Sequence, residues 1–249
     1  MPEINNNGVD IHFEIEGAGP PLIIQHGFTD SIVSWRDLGY VDALKENFRL
    51  LLIDARGHGQ SSKPHDPEAY LADRLASDVT AVLDATNMAK AHFFGYSYGC
   101  RIGIAAAHHF PDRISSMVLG GMALWTSSNE TDPFIEAMKQ GATAIAGIWD
   151  APVPAALRAR LEKSDVEALI AVRRSRGLEP DLKELLPNVR MPCLVFAGDE
   201  DAYYPSILEN YQRMPNAQFL PFAGLTHAGT FFSPDLILPH VQKFLMAQV

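Results

Sequence analysis

The chain has 249 residues, 47% hydrophobic and 20% charged, an ordinary balance for a folded protein with a sizeable core, and this excludes disorder, collagen and coiled coil as overall descriptions. Thirty Asp and Glu against twenty Lys and Arg leave a formal net charge of −10, a sign that repels phosphate backbones and anionic lipid and argues against nucleic-acid and membrane-surface partners. Two cysteines, Cys100 and Cys193, are too few for a disulfide framework, no apolar run is long enough for a membrane span, and Met1–Gly8 lacks the basic and apolar character of a secretion signal, so the expected address is the cytoplasm.

Residues Val9–Glu16 alternate polar and apolar, as a half-exposed strand does, and Asn5-Asn6-Asn7-Gly8 before them reads as a hairpin turn. Short runs of continuous apolarity follow at Leu22–Gln25, Leu50–Asp54, His92–Gly95, Ser116–Gly120 and Leu194–Gly198. Such runs suit strands of a parallel sheet covered on both faces. Between them, Leu71, Leu75, Val79, Val82 and Leu83 carry helical spacing, as does Ile102–Phe110. Repeated alternation of strand and helix predicts an α/β fold.

The alternation lapses from Met122 to Asn188, where helices are expected around Pro133–Trp149, Pro154–Lys163 and Asp165–Arg176. This stretch is too long for a plain loop, and strand character resumes at Met191. The expected organisation is therefore one core, residues 1–121 and 189–249, with a small helical cap, residues 122–188, inserted after the sixth strand. A last strand at Gln218–Phe222 and a last helix near Asp235–Met246 complete the core.

The segment Gly95-Tyr96-Ser97-Tyr98-Gly99 follows an apolar strand and precedes a helix-like run. A serine held on so sharp a strand-to-helix turn adopts a strained backbone and needs neighbours without a Cβ on either side. The helix that follows aims its amino terminus at the serine, where developing negative charge is stabilised.

With this segment the sequence resembles the α/β-hydrolase family. Leu22-Ile23-Ile24-Gln25-His26-Gly27-Phe28 is similar to the family's strand and oxyanion loop, and Asp54-Ala55-Arg56-Gly57-His58-Gly59-Gln60-Ser61 to its glycine-rich turn. Gly198-Asp199-Glu200-Asp201 and Leu225-Thr226-His227 are similar to the loops that supply acid and histidine. The matches span nearly the whole chain in the family's order of Ser, acid, His. The resemblance implies an α/β-hydrolase fold, with a mostly parallel central sheet and helices on both faces.

A serine hydroxyl needs a general base, and His227, in a loop after the last expected strand, is the candidate. The imidazole in turn needs a carboxylate to fix its tautomer. The family pattern selects Asp201, with Asp199 as the alternative. Resemblance assigns the oxyanion donors to the backbone amides of Phe28 and Tyr98. Phe28, Tyr98, Trp125 and Trp149 are candidate substrate-binding residues, and Tyr96, Tyr203 and Tyr204 are further candidates for an apolar pocket wall. His26 and His58 are expected to brace loops. No spacing suggests a metal site, and neither a dinucleotide nor a phosphate-binding glycine motif is present, so no cofactor is expected.

These readings converge on an esterase, a serine hydrolase of carboxylic esters acting on small neutral substrates. Members of the family that open epoxides or displace halide use Asp where Ser97 stands, which argues against those activities. Lactonase, carbon–carbon hydrolase and cofactor-free haloperoxidase or perhydrolase remain alternatives, as do a cyanohydrin lyase and a non-enzymatic small-ligand receptor. The expected partner is a small-molecule ester, and the sequence leaves homo-oligomerisation open.

Overall fold

The computed structural model describes residues 3–124, 132–141, 144 and 152–249. An antiparallel hairpin opens the chain, β1 (Glu3–Asn6) and β2 (Val9–Glu16), joined at Asn7-Gly8, both with positive φ (54° and 85°). Asn5 and Asn6 thus belong to the strand, and only two residues make the turn, because two consecutive left-handed residues match the twist of paired strands.

There follow β3 (Pro21–Gln25), α1 (Ile32–Asp37), α2 (Tyr40–Leu44), β4 (Arg49–Ile53), α3 (Ala72–Ala85), β5 (Ala91–Tyr96), α4 (Tyr98–His109) and β6 (Ile114–Gly120). Between β6 and β7 (Cys193–Gly198) the described residues form α5 (Pro133–Met138), α6 (Ala155–Leu161) and α7 (Val166–Ser175), then two 3₁₀ turns. The chain closes with α8 (Tyr204–Tyr211), β8 (Ala217–Phe222), α9 (His227–Phe231) and α10 (Pro234–Met246). The helix expected from Pro133 ends early at Met138, just before Gly141, which has a φ of 112°.

All eight strands form one sheet in the order β1-β2-β4-β3-β5-β6-β7-β8, antiparallel at β1, β2 and β4 and parallel from there on. Alternate side chains of each strand enter opposite layers. Ile23, Leu51, Phe93, Met117 and Val195 pack with α3, α4 and α7 on one face. Leu22, Leu50, Phe94, Val118 and Leu194 pack with α1, α2 and α10 on the other. Trp35 of α1 anchors that second layer, fully buried and edge-on to Tyr40, Phe94 and Phe231.

The parallel strands all end on one side, so the loops after β3, β5, β6 and β7 meet above the same edge. Open parallel sheets bind ligands there. Among the described residues no helix is long and apolar enough to cross a membrane.

Candidate active site

Ser97 sits between the end of β5 and the start of α4 with φ 53° and ψ −110°, a strained conformation for a residue with a side chain. The strain is tolerated because the turn is locked on both sides. The Ser97 N–H donates to the Gly120 carbonyl at 2.8 Å, and the Cys100 N–H donates to the Ser97 carbonyl at 3.0 Å. Gly99 lets α4 press onto the end of β3: a Cβ there would collide with the Gln25 carbonyl oxygen and lie 3.0 Å from the His26 carbonyl oxygen.

The loop after β8 brings His227 over the serine, with Nε2 3.0 Å from Ser97 Oγ. Its Nδ1 lies 2.7 Å from Asp201 Oδ2. Asp201 is 3% exposed, and its Oδ1 accepts the Tyr203 N–H at 2.8 Å, so both carboxylate oxygens are engaged. Asp199 is exposed and turned away, accepting the Gly224 N–H at 2.7 Å. Two residues of spacing thus give the two carboxylates different work: Asp199 pins the loop after β8, and Asp201 faces the imidazole. That loop passes so close to β7 that a Cβ on Gly198 would overlap the Leu225 carbonyl.

Tyr96 supports the histidine from below. Its hydroxyl donates to the His227 carbonyl at 2.7 Å, and its ring centroid lies 5.4 Å from the imidazole. The Tyr203 ring meets the imidazole edge-on, also at 5.4 Å. Burial, with the Asp201 charge beside it, raises the Tyr96 phenol well above its usual range, so Tyr96 is a fixed neutral donor.

The loop after β3 passes beside the serine: a Cβ at Gly27 would be 3.6 Å from Ser97 Cβ. Thr29 carries a φ of 65°, rare for a β-branched residue, and its hydroxyl donates to the Phe28 carbonyl at 2.6 Å. The backbone N–H groups of Phe28 and of Tyr98, the first residue of α4, have no acceptor among the described residues.

A cavity of about 340 Å³ opens above Ser97 and His227, walled mainly by Phe28, Phe134, Tyr203 and Phe231. Phe28, a candidate from sequence, lines this cavity. Tyr98 corrects the expectation: its ring turns away from the cavity into the core, 3% exposed, stacked on His58 at 5.6 Å. Residue 98 opens α4, and its ring packs against His58 and Phe28 in the core. Tyr204 packs on Phe219 instead of the cavity. Trp125 and Trp149 lie outside the described residues.

Phe134 and Phe231 were not singled out from sequence. Phe231 follows His227 by one helical turn, a spacing that could have flagged it. Phe134 is held by α7: Arg173 lies 4.4 Å from its ring centroid and pairs with Asp132, which also caps α5.

His26 and His58 join loops. His26 Nε2 accepts the Ala55 N–H at 3.0 Å, and His58 Nδ1 donates to the Arg56 carbonyl at 3.1 Å. Burial, helped by His26, pushes the His58 imidazole from 6.5 down to about 3. The unfolded chain takes up that proton below about pH 6.5, whereas the folded protein resists it until about pH 3. The stability held in the neutral ring is therefore complete above that window and lost as pH falls through it. The urea midpoint is expected to drop across the window in the wild type and less steeply in His58→Gln; equal slopes would contradict this assignment. No group of three or more metal-ligating side chains occurs among the described residues.

A family model described as alpha/beta hydrolase fold matches residues 20–181. The chain is similar to the crystal structure of the enol-lactonase from Burkholderia xenovorans, with 27% identity and a TM-score of 0.86 over 98% of this chain and 100% of that one. It is 23% identical to the 2-(acetamidomethylene)succinate hydrolase of Mesorhizobium japonicum over 96% of this chain and 92% of that one. An epoxide hydrolase of Caballeronia sordidicola is 30% identical over a shorter stretch, 56% of this chain and 42% of that one.

Proposed function

The chain belongs to the α/β-hydrolase fold family, and from that premise we propose that it is a serine hydrolase of small carboxylic esters. The observation that carries this reading is the unbroken line from Ser97 Oγ through His227 to Asp201, at 3.0 and 2.7 Å, at the floor of an apolar cavity. Those distances are within reach for proton transfer from serine to imidazole and for a carboxylate that orients the ring.

In the proposed cycle His227 takes the Ser97 proton as Oγ adds to the ester carbonyl. The oxyanion is held by the amides of Phe28 and Tyr98, neither of which has an acceptor among the described residues to give up. Collapse expels the alcohol, which leaves with the proton from His227, and the acyl group stays on Ser97. Water then adds to the acyl-enzyme with His227 again as base, releasing the acid and restoring the serine. Asp201 keeps the Nδ1 proton in place throughout and offsets the imidazolium charge.

A serine at the turn, where a carboxylate would form an alkyl ester with an opened epoxide, supports acyl transfer over epoxide opening. Lactones are cyclic esters and fall under the same chemistry, a scope that the enol-lactonase relative supports. Residues 122–188 act in this reading as a cap, since Pro133 and Phe134 close the cavity opposite the serine. A panel of short-chain p-nitrophenyl esters and simple lactones tests the proposal. Turnover of at least one class is expected, and its absence across the panel would sink the reading.

A further inference from the structure

The roof of the cavity and the loop beside the nucleophile are joined by one charged side chain, Arg173, which stands behind the cavity wall rather than in it. It lies in the last turn of α7 and is 8% exposed. Its guanidinium carbon sits 4.4 Å from the ring centroid of Phe134, on α5, and 5.6 Å from that of Phe28, on the loop after β3. The two rings themselves meet edge-on, with centroids 6.2 Å apart. From the same guanidinium, Nε donates to Asp132 Oδ2 at 2.6 Å, while Asp132 Oδ1 accepts the Phe134 N–H at 2.9 Å. Arg173 therefore holds the roof residue by its ring and, through Asp132, by its backbone, and at the same time touches the ring of Phe28.

Ordinary core packing does not account for a cation here. Taking both charges out of water offsets most of their attraction, so a buried ion pair adds little net stability, and what it fixes is geometry. Geometry is what α5 lacks by itself, because six residues make too few intrahelical bonds to hold a helix in place. Met138 is buried in the core and anchors one end. Asp132, paired with Arg173, anchors the end that carries Pro133 and Phe134 over the cavity. At about 340 Å³ the cavity is toward the small end of ligand pockets, so small shifts of that roof decide what fits.

We propose that Arg173 is a positioning residue that sets the acyl-chain limit of the substrate: by holding Phe134 against Phe28 it keeps the roof low over Ser97 and excludes long chains. The inference rests on the ester-hydrolase reading above and names what restricts its substrates. In that cycle the acyl group stays on Ser97 with its oxygen toward the Phe28 amide, which places its chain beside the Phe28 and Phe134 rings. Arg173 touches no reacting atom, so it acts on which ester is bound and not on the bond broken.

The test compares p-nitrophenyl butyrate with p-nitrophenyl octanoate in wild type, Arg173→Met and Asp132→Asn. The ratio of their kcat/KM values cancels any loss common to both esters, such as that from a loosened fold. Wild type is expected to favour butyrate. Met replaces the stem of Arg173 without its charge, and Asn keeps the cap on the Phe134 N–H while removing the anion, so each variant releases the roof without deleting it. Each is expected to shift the ratio toward octanoate by about tenfold, the worth of roughly one methylene in an apolar pocket, with the gain in KM rather than kcat. An unchanged ratio in either folded variant, a gain confined to kcat, or a wild type that prefers octanoate overturns the proposal while leaving the ester-hydrolase reading intact. Asp132→Asn carries the test alone should Arg173→Met fail to fold. Turnover of neither ester by wild type overturns both readings.

Discussion

Ser97→Ala is expected to lower kcat/KM for an activated short-chain ester by about 10³- to 10⁶-fold while leaving the fold in place. The Oγ it removes hydrogen-bonds His227 Nε2 at 3.0 Å, and the strained backbone at 97 is held by main-chain bonds to Gly120 and Cys100 that alanine keeps. Serine and histidine work as one unit, so His227→Ala should cost about as much, and the double variant little more than either single one. Initial rates for the three variants, with circular dichroism to verify folding, check this. Activity in Ser97→Ala within about tenfold of wild type would mean that the cavity holds a different nucleophile or none.

Gly99→Ala is expected to be among the most damaging single methyls at the edge of the sheet that carries Ser97. The added carbon would press on the Gln25 and His26 carbonyls, which belong to the end of β3 and the start of the loop after it. Those atoms are backbone atoms of a strand paired on both sides, to β4 and β5, and have no rotamer to escape into. A loss of about 3 kcal/mol or more is expected in urea unfolding, at the upper end of overpacking costs. Activity should fall too, because any relief moves Phe28 relative to Ser97. Gly177→Ala serves as the control, since nothing lies within 4 Å of a Cβ there. Equal, small effects at both positions would contradict the close packing of α4 on β3.

The features that were legible in sequence are those written in local pattern. Continuous apolar runs mark β3 through β7 because both faces of those strands are covered, and the strained turn at Ser97 announces itself through Gly95 and Gly99. Helices α1 and α2, with six and five residues, are too short to display a helical period, so the segment that carries Trp35 and Tyr40 gives no periodic signal. The direction of Tyr98 was hidden for another reason. Adjacency to Ser97 says nothing about where a ring packs, and only the tertiary contacts with His58 and Phe28 place it in the core. Asp30, in the polar run Thr29-Asp30-Ser31, is buried and lines the cavity, which its polar neighbours in sequence do not announce. Choosing Asp201 over Asp199 from sequence relied on resemblance, whereas the geometry separates them by burial and by partner.

The net charge of −10 first argued only against anionic polymers and lipid. Together with an apolar cavity it supports the proposal of uncharged substrates.

The central claim is that Ser97 is a nucleophile activated by His227. Treatment with a fluorophosphonate, followed by intact mass and peptide mapping, tests it most directly. One adduct per chain is expected, located on Ser97, formed in wild type and absent in Ser97→Ala and His227→Ala. An adduct on another residue, or equal labelling of Ser97 with and without His227, would contradict it.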